Sequence, residues 1–272
     1  MSIIQQETGR GPELRNRGLM ASLLPPQVVV RESFGRWEGD WRSALFPAEV
    51  QIMETAGDKR RREFAGVRVC ARSALLSLDM PPVPLLPGPR GEPGWPAGIV
   101  GAMTHCTDYR AAAVARRAEG VASVGIDAEP CAQLPEVAMA MVATAREADH
   151  LETLACRWPQ VPWGRLLFSA KESVFKAWYP LARCPLDFLE TEVELWMDSG
   201  VHAGTFTAAV LRPGPFATVT GRWRITREVI LTATTVGAVP ATGVRTGHTA
   251  SGPTSTPAPT PTTLLSSPVM KG

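Results

Sequence analysis

No stretch of about 18 consecutive apolar residues occurs in this chain, so the sequence offers no membrane-spanning helix. Its first residues, "MSIIQQETGRGPELRNRG", lack a positive segment leading into a long apolar one, which argues against a secretory signal. There is no C-x-x-C pair. The five cysteines (Cys70, Cys106, Cys131, Cys156 and Cys184) are scattered and odd in number. That disfavours a zinc knuckle or a disulfide framework and suits reduced thiols in a cytoplasmic protein. An excess of charge of one sign is missing as well, since 28 Lys and Arg against 26 Asp and Glu leave only +2. Electrostatic function must then come from local clusters, and general nucleic-acid binding is disfavoured. The phosphate cradles GxxxxGK[ST] and strand-linked GxGxxG are absent, as are G-x-S-x-G and H-E-x-x-H. These absences exclude the commonest nucleotide-binding loops, the standard serine hydrolases and the zincins.

What remains is a mixed α/β pattern. Apolar residues at 44% and charged residues at 20% suit a globular chain with a substantial core. Residues 1–20 are polar and irregular and read as a flexible arm. From Gly237 to residue 272 the chain is rich in Thr, Pro, Ser and Gly, and such a tail cannot offset its ordering entropy by burial, so it is expected to be disordered. In "DKRRREFAGVRVCARSALLSL", Phe64, Val67, Ala71, Ala74, Leu75 and Leu78 recur at helical spacing, with a basic outer face. A Pro/Gly-rich ordered loop follows at 80–98. Strands are expected at 99–105, 109–115 and 122–129, and helices at 134–155 and 163–182. Closing antiparallel strands are expected within 191–197, 204–211 and 221–236. Each half has a prominent helix followed by strands, with no repeat of fixed period.

Several polar residues invite a chemical reading. In "SVGIDAEP", strand alternation turns Ile126 and Ala128 to one face and Asp127 and Glu129 to the other. Two adjacent carboxylates suit a hard cation such as Mg²⁺, or simply a solvated strand face. In "FSAKESVFKAW", Ser169 precedes Glu172 by three residues, as in a helix capping box. Glu172 and Lys176 also share a helix face, so the glutamate has a structural and a chemical reading side by side. Lys171, taken alone, is a solvated charge. Arg60 and Arg68, with Lys59, Arg61, Arg62 and Arg72 nearby, form either a solvated face or a set of phosphate forks. His105, after "MT", is either a satisfied turn residue or a donor to a phosphate. These residues alone leave open a Mg²⁺-dependent phosphohydrolase or nuclease, and a non-catalytic phosphonucleotide-binding module.

Taken together, "KRRREFAGVRVCAR", "PRGEPGWP", "WPAGIVGAMTH", "VGIDAEP" and "LLFSAKESVFKAWYP" resemble the 4′-phosphopantetheinyl transferases. The likeness covers roughly residues 20 to 236. It is to the larger, monomeric type that activates siderophore, polyketide and nonribosomal peptide synthetases. The resemblance implies an α/β fold of two similar halves, 21–120 and 121–236, in a pseudo-dimeric arrangement with the metal site in the second. It implies transfer of the phosphopantetheine arm of coenzyme A to a serine of an apo acyl or peptidyl carrier protein, releasing adenosine 3′,5′-bisphosphate. By the same resemblance Asp127, Glu129 and Glu172 match the acids that bind Mg²⁺ (or Mn²⁺), and Glu172 the general base. Lys176 matches the lysine near the pyrophosphate. Arg60, Arg68, Arg90, Thr104, His105 and Lys171 match positions that hold coenzyme A, with Asp127 and Lys176 close by. Phe175 stands where several relatives carry tyrosine, and Ala102 where serine is common. No nucleic acid or membrane partner is implied, whereas carriers with an acidic helix call for a partly basic or apolar docking surface.

Overall fold

The computed structural model describes residues 18–198, 200 and 202–238. Two antiparallel sheets, each with a long helix laid on it, make an α/β fold. The first comprises β1 (Val29–Phe34), β2 (Ile99–Cys106) and β3 (Tyr109–Arg116), in the order β1-β3-β2. Between β1 and β2 run α1 (Pro47–Met53) and α2 (Asp58–Leu76). The second sheet comprises β4 (Val121–Pro130), β5 (Thr191–Met197), β6 (Ala203–Val210), β7 (Thr218–Ile225) and β8 (Val229–Gly237), in the order β4-β8-β7-β6-β5. Between β4 and β5 run α3 (Glu136–Val142), α4 (Ala145–Arg157) and α5 (Trp163–Ala182). In both sheets the first strand lies beside the last and the helices form the crossover. The two halves are therefore wound alike, although no residue repeat marks it.

Local chemistry explains the boundaries. Helix α2 buries Phe64, Val67, Ala71, Ala74 and Leu75, the expected face, and the chain turns away at Asp79 in the left-handed region (φ 53°). The β2–β3 hairpin turns through Thr107 and Asp108, with Asp108 at φ 58°. Helix α5 ends where Arg183 adopts φ 54° and its amide donates to Tyr179 O, just after Pro180. Val124, Ile126 and Ala128 of β4 join a core with Val100, Ala102, Tyr109, Ala111 and Ala113 of the first sheet. That leaves Asp127 and Glu129 on the face covered by α5. Gly125 permits the close approach of strand and helix, since a Cβ there would lie 1.8 Å from Ser173 O.

Five expectations need correction. Met20 is fully buried, and the amides of Leu19 and Met20 donate to the Glu32 carboxylate, so the N-terminal arm does not extend through residue 20. The tail expected from Gly237 starts later, since Gly237 is the last residue of β8 and Ala238 N donates to Gly120 O; residues 1–17 and those from 239 onward lie outside the described residues. The helix expected over 134–155 is two helices, because Thr144 caps α4 by accepting from Glu147 N, and Glu147 answers by accepting from Thr144 N. Ser169 caps nothing: α5 starts six residues earlier, at Trp163 after Pro162, and Ser169 is buried in its interior. Strand β1 escaped notice because "VVRESF" buries the charged Glu32, which accepts from Tyr109 Oη at 2.6 Å. Among the described residues no helix is long and apolar enough to cross a membrane.

Lys171 is not solvated. Its ammonium is buried and donates to Glu147 Oε2 (2.7 Å), Val142 O (2.8 Å) and Phe188 O (2.8 Å). Glu147 Oε1 in turn accepts from Val193 N at 2.7 Å. One ion pair thus ties α3, α4, α5 and β5 together, and burial holds the lysine pKa below its ordinary value against the pull of Glu147. Lys171→Met should cost about 3–5 kcal/mol in urea unfolding, because it strands a buried glutamate. A loss below about 0.5 kcal/mol, the norm for a surface charge, would contradict this structural role.

Candidate active site

Along α5, Arg165, Ser169, Glu172 and Lys176 fall at intervals of four, three and four, so they form one stripe. The stripe faces β4. Lys176 Nζ donates to Asp127 Oδ1 at 2.8 Å and to Ile126 O at 3.1 Å. Ser169 Oγ donates to Asp127 Oδ2 at 2.8 Å and lies 3.0 Å from Thr232 Oγ1, which donates to Ser169 O. Thr104 Oγ1, from β2 of the other sheet, donates to Asp127 Oδ1 at 3.2 Å and accepts from Ala128 N at 3.0 Å. Arg165 Nη1 donates to Glu129 Oε2 at 3.1 Å. Asp127 and Glu129 are buried, which rules out the solvated strand face.

Glu172 stands apart. It is buried among these groups, yet among the described residues no donor hydrogen-bonds its carboxylate. Three acids face two cations here, and the charge left over falls on Glu172. Burial first, then repulsion from Asp127, raises its pKa to about 7, against a partial opposing pull from Lys176. No three His, Cys, Asp or Glu side chains among the described residues converge as a ready-made metal cage.

One cleft reaches this centre at Lys176, and a second lies beside His105, the residue after Thr104. The larger, about 500 Å³, runs along the loop Leu86–Trp95 and β2 to Lys176 and Arg183. Arg90 sits half-buried in that loop between two lining residues, its amide donating to Glu92 Oε2. The smaller cleft, about 280 Å³, is lined by Arg36, Lys59, Arg62, Glu63, His105 and Arg110, among others. His105 Nε2 lies 3.4 Å from Glu63 Oε2, while its Nδ1 and Arg110 Nη1 are buried without a protein partner. Burial holds the His105 pKa below its ordinary value despite Glu63, so the ring is neutral near pH 7.

The structure distributes the remaining basic residues differently from the sequence pattern. Arg68 is fully buried, stacks 3.2 Å from the Phe64 ring centroid and donates to Leu85 O. It shares Glu49 with Arg72, and burial lowers its pKa to about 9. Arg68 therefore holds the proline-rich loop over α2 in place of facing a cleft, and the solvated-face reading fails for it. Arg60 is half-buried, 6.0 Å from the Phe64 centroid. Thr104 is tied to Asp127, and the Lys171 ammonium is spent on its three partners, so neither is turned outward to a phosphate. Arg165, Thr232 and the acceptor side of Ser169 went unread in the sequence. The signal for Arg165 was its place seven residues before Glu172, on the same helix face.

Comparison with known proteins places the chain in a family. A family model described as the 4′-phosphopantetheinyl transferase N-terminal domain matches residues 48–115, and one for the 4′-phosphopantetheinyl transferase superfamily matches 123–226. Over 226 residues the chain is 50% identical to the 4′-phosphopantetheinyl transferase Svp of Streptomyces mobaraensis, covering 81% of this chain and 90% of the relative. The chain belongs to the 4′-phosphopantetheinyl transferase family. It is also 40% identical to the 4′-phosphopantetheinyl transferase PptT of Mycobacterium tuberculosis, over 79% of this chain and 96% of the relative. A shorter likeness, 31% identity over 126 residues, links it to enterobactin synthase component D of Salmonella typhimurium, with 46% and 51% covered. As a 4′-phosphopantetheinyl transferase it moves the phosphopantetheine arm of coenzyme A to carrier proteins. The phosphohydrolase, nuclease and simple binding-module readings fall away.

The raised Glu172 pKa has a consequence for this transferase's stability. A carboxyl whose pKa is about 7 folded and 4.5 unfolded contributes stability below pH 4.5 that is lost as pH rises through 7. In the metal-free protein, Glu172→Gln should therefore leave Tm nearly unchanged at pH 5 and raise it at pH 8. The gain is on the order of 2–3 kcal/mol, at about 2–4 °C per kcal/mol. A Tm difference that does not vary with pH would assign Glu172 an ordinary carboxyl.

Proposed function

We propose that Asp127 and Glu172 form the core of a Mg²⁺ site, with Glu129 beside them, and that Glu172 takes the proton of the carrier serine. The observation that carries this reading is the buried and surplus carboxylate of Glu172 next to Asp127, with no hydrogen-bond donor among the described residues. The donor set fits a hard divalent cation: oxygen ligands only, one negative charge in excess, and a cleft alongside for a polyanion. Mn²⁺ satisfies the same donors. Such an ion would neutralise charge on the pyrophosphate oxygens of coenzyme A during transfer.

The chain's own residues supply the rest. Lys176, at the edge of the larger cleft, holds Asp127 and brings positive charge towards the pyrophosphate. The basic smaller cleft suits the phosphates and nucleotide of coenzyme A, and Arg110 Nη1 offers a buried donor that lacks a protein partner, with the unpartnered Nδ1 of His105 on the same cleft. Arg60 and Arg90 stand near these walls as further phosphate contacts. With a divalent cation beside it Glu172 would be held ionised, the form that removes a serine proton directly or through water. With arm and serine held in line, the arm's phosphate passes to the serine oxygen and adenosine 3′,5′-bisphosphate leaves. The acceptors are apo acyl or peptidyl carrier domains of siderophore, polyketide, nonribosomal peptide or fatty-acid synthesis. The enterobactin synthase relative supports the siderophore branch. We read the chain as a cytoplasmic monomer of two halves that meet near residue 120, supported by five free cysteines and a core shared between the sheets.

Incubated with coenzyme A and Mg²⁺, an apo carrier should gain the mass of one phosphopantetheine. Glu172→Gln should slow this by about 10²–10⁴-fold, the usual worth of a positioned base. His105→Ala should raise KM for coenzyme A more than it lowers kcat. Absence of the adduct across several apo carriers would overturn the transferase assignment, and intact turnover in Glu172→Gln would remove that residue from the mechanism.

A further inference from the structure

The polar stripe on α5 does not end at the acids. Beyond Lys176 it continues through Pro180 to Arg183, at steps of four and three residues, and all three line the larger cleft. At about 1.5 Å per residue, Arg183 stands roughly 10 Å beyond Lys176 along the helix. The charged residues lining this cleft are Arg117, Lys176 and Arg183, against Glu92. The Lys176 ammonium is taken by Asp127 Oδ1 and Ile126 O, and Arg117 lies out at the surface after β3. On the α5 wall, Arg183 is the cation with capacity to spare.

Two observations set Arg183 apart from an ordinary helix end. A cation at a helix C-terminus is commonplace, but Arg183 holds the left-handed conformation (φ 54°) that glycine usually supplies there. A long side chain is kept where glycine would relieve the backbone. Its pairing is also loose: Nη1 lies 3.7 Å from Glu92 Oε1, beyond hydrogen-bond length, and the side chain is 70% exposed. Glu92 has another task. It is buried, its Oε2 accepts from Arg90 N at 2.9 Å, and its carboxylate fills the space that a Cβ on Gly88 would need. The carboxylate thus belongs to the tip of the Leu86–Trp95 loop, and the arginine only rests against it. Building on the coenzyme A reading above, we infer that Arg183 is a further substrate-binding residue, whose guanidinium leaves Glu92 for a phosphate of coenzyme A in the larger cleft. A phosphate offers paired oxygens to the planar fork at charge-assisted hydrogen-bond distance, a better partner than a carboxylate at 3.7 Å. That phosphate belongs to the pyrophosphate or is the 3′-phosphate, and dephospho-coenzyme A, which lacks the second, tells them apart.

The test is calorimetric binding of coenzyme A with Mg²⁺ present, alongside thermal unfolding. Arg183→Gln and Arg183→Gly should each weaken coenzyme A by about tenfold or more, the usual worth of a hydrogen bond to a charged group. In the transfer assay that loss should fall on KM for coenzyme A more than on kcat. Glycine suits the left-handed position, so Arg183→Gly should keep or raise Tm while losing affinity, which a merely structural arginine would not do. Glu92→Gln keeps an acceptor for Arg90 N and frees Arg183, so it should bind coenzyme A as tightly as the native protein or tighter. With dephospho-coenzyme A, the penalty of Arg183→Gln persists if the pyrophosphate is the partner and vanishes if the 3′-phosphate is. Two results would overturn the role of Arg183 alone. One is coenzyme A affinity within about twofold of native in both folded Arg183 variants, far below the loss of a charged hydrogen bond. The other is a Glu92→Gln protein as weak as Arg183→Gln, which would make the pair a structural clasp. Failure of the native protein to bind coenzyme A would instead overturn the functional reading, and this inference with it.

Discussion

Helix α5 lies so close to strand β4 that their backbones all but touch at Gly125 and Ser173, and the polar chemistry of the molecule is organised by that contact. A side chain at position 125 would collide with the Ser173 carbonyl. With only a hydrogen there, Asp127 is brought under Ser169 and Lys176 and Glu129 under Arg165. On the opposite face of β4, Ile126 and Ala128 seal against the first sheet. The same strand therefore closes the core between the halves and carries the acids. Thr104 reaches across from β2 to bond Asp127, so the position of that carboxylate depends on both sheets at once.

Burial at this depth turns charge balance into a decisive quantity. Isolated charges in such a place cost several kcal/mol each unless paired, and the site supplies one cation too few. Asp127 takes three donors, Glu129 takes an arginine, and Glu172 is left with a raised pKa in a carboxylate-rich pocket. A shortage of positive charge beside a cleft is a destabilising arrangement for a protein that binds nothing. It suits the divalent cation that we propose binds there beside the polyanionic coenzyme A. The second buried ion pair, Lys171–Glu147, has the opposite character: every polar atom of its ammonium is engaged, and it serves only to hold α3, α4 and β5 to α5. Two lysines five residues apart on one helix thus do different jobs, decided by which neighbours they meet.

Much of this was legible in the sequence because it follows from period alone. The alternation in "GIDAE" predicts the two faces of β4 correctly, and the spacing of Phe64, Val67, Ala71 and Ala74 predicts the buried face of α2. The closing strands and the β2–β3 hairpin follow from turn residues and apolar alternation. What failed were inferences about single polar residues, whose fate depends on tertiary neighbours. Ser169 has the spacing of a cap but sits inside the helix, because Pro162 already marks the start. Lys171 and Arg68 look like surface charges and are buried, since each finds a carboxylate, Glu147 or Glu49, from a distant segment. Helix α1 and strand β1 were too short, or too charged, to show a period. Arg165 lay on the right face at the right spacing, but nothing in a linear pattern says that it meets Glu129.

The claim on which the account turns is that Glu172 is the uncompensated carboxylate of a buried, cation-seeking centre. Site-resolved ¹³C NMR of its carboxyl carbon, assigned by loss of the signal in Glu172→Gln and followed against pH with and without Mg²⁺, addresses it directly. The account predicts titration near pH 7 in the metal-free protein and a clear downward displacement when Mg²⁺ is saturating. Titration at the ordinary glutamate value in the metal-free protein, or a midpoint indifferent to Mg²⁺, would contradict it.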